Sequence, residues 1–431
     1  MKKITVAALG ALALLAGHLP SAVQADLVIP SLTYRTGPYA QSGIPFSDGF
    51  SDYVTLLNER DGGIEGEPIR VLECEYGYDT EKGVECFKET LAEGALMYHP
   101  MSTGLTYQLI PIAHQEGVVI HTMGYGLTAA ADGDTFPYAF NFPAHYWHAA
   151  SAQIRHIKEV EGGSLEGLKI AHAYHNSGYG KEPIPTFEKL AEAEGFELQL
   201  FPIDHPGEDQ SAIWPAIEEA APDYILLWGW GIMNPTALRG ARSIGFPMDK
   251  LFGIWWSAGE SDVRQLGPLA DGYKVVTFHA VGTDFAIYND MNMLVYQGGK
   301  ARGEMNNLGE VYYNRGVMAA IFTTEAIRNA MEIHGTADIT REMVRDGYEQ
   351  LSMDAATFEE LGMEGFIPNV QISCENHSGE GLVAVNQWNG KRSRWEQITD
   401  YYEPDAALIE PQVEQAAQAF AEAANLPDGN C

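Results

Sequence analysis

Cysteine, basic residues and long apolar runs are all scarce in this chain, and each shortage removes a class of protein. Four cysteines occur in 431 residues, none of them before Cys74. A lipid-modified cysteine near the N-terminus is therefore excluded. Only 26 lysines and arginines stand against 59 acids, a formal charge of −33. A surface this acidic repels phosphate backbones and anionic lipid, so no nucleic-acid or membrane-surface partner is expected. Beyond residue 25 no window approaches the roughly 20 apolar residues of a membrane helix, so no direct membrane anchor is expected either. The chain also lacks a Gly-x-Ser-x-Gly turn, Gly-x-x-x-x-Gly-Lys and Gly-x-Gly-x-x-Gly loops, and a His-Glu-x-x-His pair. No catalytic residue, bound nucleotide, metal or other cofactor is expected. His145 with His148 and His172 with His175 do share an i, i+3 spacing. The second pair falls on a predicted strand, where such residues face opposite ways.

What is present starts with Lys2 and Lys3, the apolar run 4–17, and small residues at Val23 and Ala25. This is the pattern of a secretory signal peptide, with cleavage expected after Ala25. An exported chain permits disulfides, and four cysteines allow three connectivities. We favour Cys74 with Cys86 and Cys374 with Cys431, although Cys86 lies off the stripe of Val84, Phe87 and Leu91 on its predicted helix.

From Asp26 onward, short β-branched runs alternate with segments of helical period, the pattern of parallel sheets with crossover helices. Strands are expected at 27–32, 69–75, 95–99 and 118–123. After Asn141-Phe-Pro-Ala144 a second series follows, at 168–175, 196–203, 223–230, 251–257 and 273–281. Helical patterns return at 284–297 and 311–334, and the chain ends in a hairpin over 371–397 and a helix over 411–425. No Gly/Ser-rich linker separates the two series, so the chain should cross more than once between hinged lobes. The expected fold is α/β with two lobes, each a mostly parallel sheet flanked by helices. Lobe one takes 26–142 and 281–366, lobe two 143–280 and 367–400, and 401–431 forms a helical tail. Hinge crossings are expected at 141–144, 278–281 and 366–369.

In open parallel sheets, ligands bind beyond the carboxyl ends of the strands, where loops converge and helix N-termini offer N–H groups. Those loops are 33–39, 99–103, 123–125, 174–179, 228–234 and 255–260. They supply the candidate ligand-binding residues: Arg35 and Tyr39; His99, Ser102 and Thr103; Tyr125; Tyr174, Asn176 and Tyr179; Trp228 and Trp230; Trp256 and Glu260. Four of the eight tryptophans sit at just two of these strand ends. A cleft walled by indole and phenol rings suits an apolar, aromatic or cationic small organic ligand. Ser102 and Thr103 open a helix whose hydroxyl and N–H groups suit a carboxylate.

Four segments, in this order and spacing, resemble the periplasmic solute-binding proteins of ABC importers, in the branched-chain amino acid and amide group with the type I two-lobed fold. They are Thr36-Gly-Pro-Tyr-Ala40, Asn58-Glu-Arg-Asp-Gly-Gly-Ile-Glu-Gly66, Ser102-Thr103 and Asn176-Ser-Gly-Tyr-Gly180. Trp228-Gly-Trp-Gly-Ile-Met-Asn234, Gly253-Ile-Trp-Trp-Ser257, Tyr313-Asn-Arg-Gly316 and Ser373-Cys-Glu-Asn-His377 look like a tryptophan-rich subgroup. The resemblance implies a periplasmic protein without turnover, whose partners are permease subunits served by separate ATPase subunits. It implies a ligand carboxylate near Ser102 and Thr103, with Tyr174 or Tyr179 closing from the other lobe. It also implies an acid for the ammonium of an amino acid. Trp255 or Trp256 stands at about that position, and Glu260 follows a few residues later. The departure points to an aromatic or bulky apolar carboxylate, or to a quaternary-ammonium-type cation caged by Trp228, Trp230 and Trp256, with Glu260 or Arg35 tuning charge. A monomer is expected. Two other readings stand beside this one: a ligand-sensing subunit of a signalling receptor on the same fold, and a periplasmic hydrolase or metal-dependent enzyme with zinc at His172 or His175.

Overall fold

Where β-branched and aromatic residues run without polar interruption, the chain forms strands buried on both faces, as parallel sheets require. The computed structural model describes residues 26–427 and 429 and gathers these strands into two lobes. The expected signal segment 1–25, its cleavage site and Cys431 lie outside the described residues. In the first lobe the order is β1 (Leu27–Thr33), α1 (Ala40–Asp61), β2 (Ile69–Glu75), α2 (Thr80–Ala92), β3 (Met97–Tyr98), α3 (Thr103–Glu116), β4 (Val119–Thr122) and β5 (Ala139–Asn141). β1 and β2 pair in parallel, as do β3, β4 and β5. The two groups join where Leu96 N–H donates to Val28 O at 3.0 Å.

The second lobe adds α4 (Tyr146–Val160), β6 (Lys169–His175), α5 (Gly178–Lys181), α6 (Ile184–Glu194), β7 (Glu197–Ile203), α7 (Ile213–Ala220), β8 (Tyr224–Trp228), α8 (Met233–Ser243), β9 (Leu251–Gly253), α9 (Glu260–Arg264) and β10 (Lys274–Thr277). The chain continues through α10 (Ile287–Asp290), α11 (Val311–His334), α12 (Arg341–Glu349), β11 (Ser352–Met353), α13 (Ala355–Glu360), β12 (Val370–Gln371), β13 (Ala384–Asn389), β14 (Arg394–Gln397) and α14 (Ala406–Ala424). Seven strands form the second sheet in the order β14-β13-β10-β9-β8-β6-β7. Only its β13 and β14 edge is antiparallel.

α11 packs along α1 of the first lobe because two glycines let the backbones touch. A Cβ on Gly49 would lie 2.1 Å from Tyr313 O, and one on Gly316 would lie 2.0 Å from Phe46 O. This contact sets the N-terminal turns of α11, with Tyr312 and Arg315, beneath the cleft.

Several elements differ from expectation. The strand expected at 251–257 stops at Gly253 and gives way to the 3-10 turn Trp255–Ser257, and the helix expected at 284–297 becomes α10 followed by a π turn, Met291–Tyr296. β5 was not foreseen. The hairpin is β13 with β14, whereas β12 pairs with β11. Cys74 and Cys86 are bridged, with Cα atoms 5.7 Å apart, so the one-face argument against Cys86 does not hold. Cys374 is not free.

Candidate ligand-binding site

Most strand ends that face the cleft deliver a ring. From the first lobe come Tyr34 after β1, Tyr78 after β2 and Tyr125 after β4, with Met101, Ser102 and Thr103 at the start of α3. From the second lobe come Tyr146 at the first turn of α4, Tyr179 on α5 after β6, Trp230 after β8 and Trp256 after β9. These side chains close tightly around a narrow cavity, with about 20 Å³ open to the centre of a water-sized sphere. Two of the wall residues, Tyr78 and Met101, hold left-handed backbone at φ 65° and 59°. Such conformations cost about 1–3 kcal/mol and gather at binding sites.

The rings are fixed by one another and by hydrogen bonds. Trp230 meets Trp256 edge-on at 5.2 Å. Tyr34 meets Trp230 across the lobes at 6.3 Å, and Tyr125 meets Trp256 across them at 5.8 Å. Tyr125 Oη accepts from Met101 N (3.0 Å), Tyr179 O–H donates to Gly229 O (3.0 Å), and the hydroxyls of Tyr146 and Thr103 bond at 2.9 Å. Tyr34 Oη and Trp230 Nε1 are buried without a protein partner.

Among the described residues no acid, lysine, arginine or histidine lines the cavity. One cation lies behind its wall. The guanidinium of Arg315 is fully buried, 4.5 Å from the centre of the Trp256 ring and 4.9 Å from that of Phe278. It donates to Trp255 O (3.0 Å) and to His279 Nε2 (3.1 Å), both neutral acceptors. Burial pulls its pKa down to about 9, which leaves it charged at neutral pH. Glu260 and Asp262, also buried, are pushed up to about 8 and about 7 by desolvation.

Further bonds join the lobes around the cavity. Tyr39 Oη lies 2.6 Å from His175 Nε2 and 2.5 Å from His205 Nδ1. Gln41 Nε2 donates to Asp262. Both indole N–H groups, of Trp255 and Trp256, donate to Gly124 O. Gly124 suits that place: its φ is +65°, and a Cβ would sit 2.6 Å from the Trp255 ring. Glu182 of the second lobe accepts from Tyr107 O–H and from Thr128 N (2.7 Å) of the first. Burial raises its pKa.

Six of the candidate residues meet at this cavity: Ser102, Thr103, Tyr125, Tyr179, Trp230 and Trp256. The other seven lie elsewhere. Trp228, the last residue of β8, sits in the core with its N–H on Gln153 Oε1 (3.1 Å). Tyr174 stacks on His172 at 4.7 Å, and Asn176 is exposed and donates to Asp204. His99 bonds Thr323 Oγ1 and His121 O inside the first lobe, and Arg35 is tied to Asp48 and Glu73. Glu260 accepts from Val311 N at the start of α11, and Tyr39 joins the lobes beside the cavity. Sequence reasoning missed Tyr34, Tyr78, Met101 and Tyr146 as wall residues. Among the described residues no group of three or more His, Cys, Asp or Glu could hold a metal ion. His145 and His148 instead cap α4 reciprocally with their ring nitrogens.

A family model described as periplasmic binding protein matches residues 26–393. The chain belongs to that family. A structure from the Pseudomonas fluorescens group, named as an ABC transporter permease, is 35% identical with a TM-score of 0.85, covering 94% of this binding protein and 99% of that chain. Among the described residues no helix is long and apolar enough to cross a membrane. A branched-chain amino acid ABC transporter protein from Thermus thermophilus with bound valine shares the fold at 20% identity and TM-score 0.76, covering 90% of this chain and 99% of that one. So does a solute-binding protein from R. palustris in complex with benzoate, at 16% identity and TM-score 0.66, covering 88% and 97%. No curated protein matches the chain.

Proposed function

We infer that this protein is the exported solute-binding component of an ABC importer: it captures one small organic solute between its lobes, presents it to a membrane permease, and performs no chemistry on it. The observation that carries this reading is a ring-walled cavity divided between the two lobes. Contacts made from both lobes exist only when the lobes are closed, so the solute biases the hinge and the closed shape reports occupancy. Relatives named with valine and with benzoate support a small ligand.

We assign 26–142 and 281–366 to the first lobe and extend it to 378, because Gly133 N donates to Glu375 O, His377 N to Ala131 O and Asn141 N to His377 O. The third crossing then falls at 379–383 instead of 366–369, and the others stay at 141–144 and 278–281. The last helix is not a free tail on this assignment. Gln412 Nε2 donates to Thr186 Oγ1 of the second lobe (2.9 Å), while Ala417 and Phe420 pack with Ile110, Leu127 and Phe136 of the first.

Native mass spectrometry of the protein recovered from a periplasmic extract tests the reading. One small-molecule adduct per monomer is expected, together with a mature chain starting at Asp26. Protein that carries no adduct, and whose lobe separation no solute mixture changes, would contradict it.

A further inference from the structure

The head group of the solute can be read from what the walls leave unpaired. Several polar groups at the cavity are already bonded by protein. Ser102 Oγ accepts from Leu105 N, Thr103 Oγ1 is engaged by Tyr146 and Gly126 N, and Trp256 N–H is given to Gly124 O. Among the wall's side-chain polar atoms that are sealed from solvent, Tyr34 Oη and Trp230 Nε1 have no partner. Their residues are 1% and 4% exposed, come from opposite lobes, and are edge-on neighbours. Leaving such groups unmatched costs about as much as a lost hydrogen bond. Indole nitrogen can only donate, so its partner must be an acceptor.

The charge of that acceptor follows from Arg315. Trp230 packs on Trp256, and Arg315 occupies a place 4.5 Å from the centre of that second ring. Its hydrogen bonds to Trp255 O and His279 Nε2 bring no negative charge. The buried acid that acts on it, Glu260, and its neighbour Asp262 are driven toward their neutral forms by burial and offset the guanidinium only in part. A positive potential in a low-dielectric wall favours an anion and opposes a cation. A quaternary ammonium would have to share the Trp256 ring with a guanidinium, and no acid at the wall is available for the ammonium of an amino acid.

We propose that the solute is a small monoanion without an ammonium group, a carboxylate on a single-ring or branched apolar body, whose oxygens are taken by Tyr34 O–H of one lobe and Trp230 N–H of the other. Arg315 is a positioning residue that sets the charge preference from behind Trp256. The clamp couples recognition to closure, because its two donors face one oxyanion only when the lobes meet. This rests on the solute-binding reading and adds the chemical class of the solute.

The test is isothermal titration at neutral pH with two matched series: hydrocinnamate, its amide and phenylalanine; isocaproate, its amide and leucine. Phenethyl trimethylammonium serves as the cation. Any solute recovered with the protein joins the panel with its amide or deaminated analogue. A charged acceptor on two donors predicts that a carboxylate binds about tenfold or more tighter than its amide and its amino acid. Tyr34→Phe and Trp230→Phe, which keep the rings, should each weaken that carboxylate about fivefold or more and narrow its lead over the amide. Equal or tighter binding of an amide, amino acid or cation overturns the proposal, as does a carboxylate preference that both variants leave intact. A neutral or cationic solute recovered from the protein overturns it while sparing the solute-binding reading. Protein that binds nothing, from the panel or from extract, removes both.

Discussion

Replacing Tyr39 by Phe removes one oxygen and nothing from the cavity wall, so it isolates the energy of lobe closure. In the closed molecule that oxygen bonds His175 Nε2 at 2.6 Å and His205 Nδ1 at 2.5 Å. Both partners belong to the second lobe, so both bonds vanish on opening. Each net hydrogen bond contributes about 0.5–1.5 kcal/mol. His205 is exposed and can bond water instead, whereas His175 is buried and would lose its Nε2 partner while Nδ1 keeps Ser177 Oγ, which keeps the total near 1–2 kcal/mol. The closed state should therefore lose about 5- to 30-fold in population relative to the open one. The ring stays, and with it the 4.5 Å contact with Tyr78, so folding should change little. Electron–electron distance measurements between labels on the two lobes read the open fraction directly, and titration with the natural solute reads the affinity. Where the free protein rests open, the weakening appears in Kd; where it rests closed, it appears as a longer interlobe distance. If neither quantity moves, the Tyr39 bonds do not hold the lobes together and the reasoning fails.

Four other outcomes follow from the same contacts. Trp228→Ala, in the core of the second lobe, should cost about 3–5 kcal/mol of stability in chemical denaturation, whereas Trp230→Ala, at the wall, should lower solute affinity more than stability. Changing Cys74 and Cys86 together to Ser removes a bridge across 12 positions and should cost about 3 kcal/mol, seen as a lower melting temperature matched by wild type in reductant. Asp262 has its pKa raised to about 7, so its contribution to stability is present at low pH and is lost as pH rises through 7. Wild type should therefore lose stability relative to Asp262→Asn between about pH 4 and about 7, and parallel melting curves would count against a buried protonated Asp262. His99, His172, His175 and His377 are lowered to about 4 by burial, so their contribution is present above their ordinary value of 6.5 and is lost as pH falls toward 4. Unfolding in that window should take up several protons, measurable from the pH slope of stability.

The architecture was legible because parallel sheets write themselves plainly. Runs such as Tyr-Ile-Leu-Leu-Trp in β8 are buried at every position, and continuous apolar stretches punctuated by helical periods admit few other folds. Short strands were harder. β5 has three residues and begins after Tyr138, inside a segment rich in turns, so its sequence carries too little pattern to stand out.

The site was legible to the extent that strand ends were. Trp230 and Trp256 follow the last strand residue and turn into the cleft, but Trp228 is still paired in the ladder, opposite Tyr174, and both side chains pack on the sheet. The strand expected to end at 230 ends at Trp228, and an error of two residues there decides which indole is wall and which is core. Tyr78 was hidden because only its left-handed backbone aims it at the cavity, and tyrosine gives no sign of that conformation as glycine does. Tyr146 stands at a helix start, not a strand end. The cue that was present and unused is the recurrence of tyrosine just beyond β1, β2 and β4.

The central claim is that one small solute lies among rings contributed by both lobes. A crystal structure of the protein with the solute recovered from it tests this most directly. The account predicts electron density for that solute between Tyr34, Tyr78 and Tyr125 on one side and Tyr146, Tyr179, Trp230 and Trp256 on the other. Density for it at any other surface, with only water among these seven rings, would contradict the account.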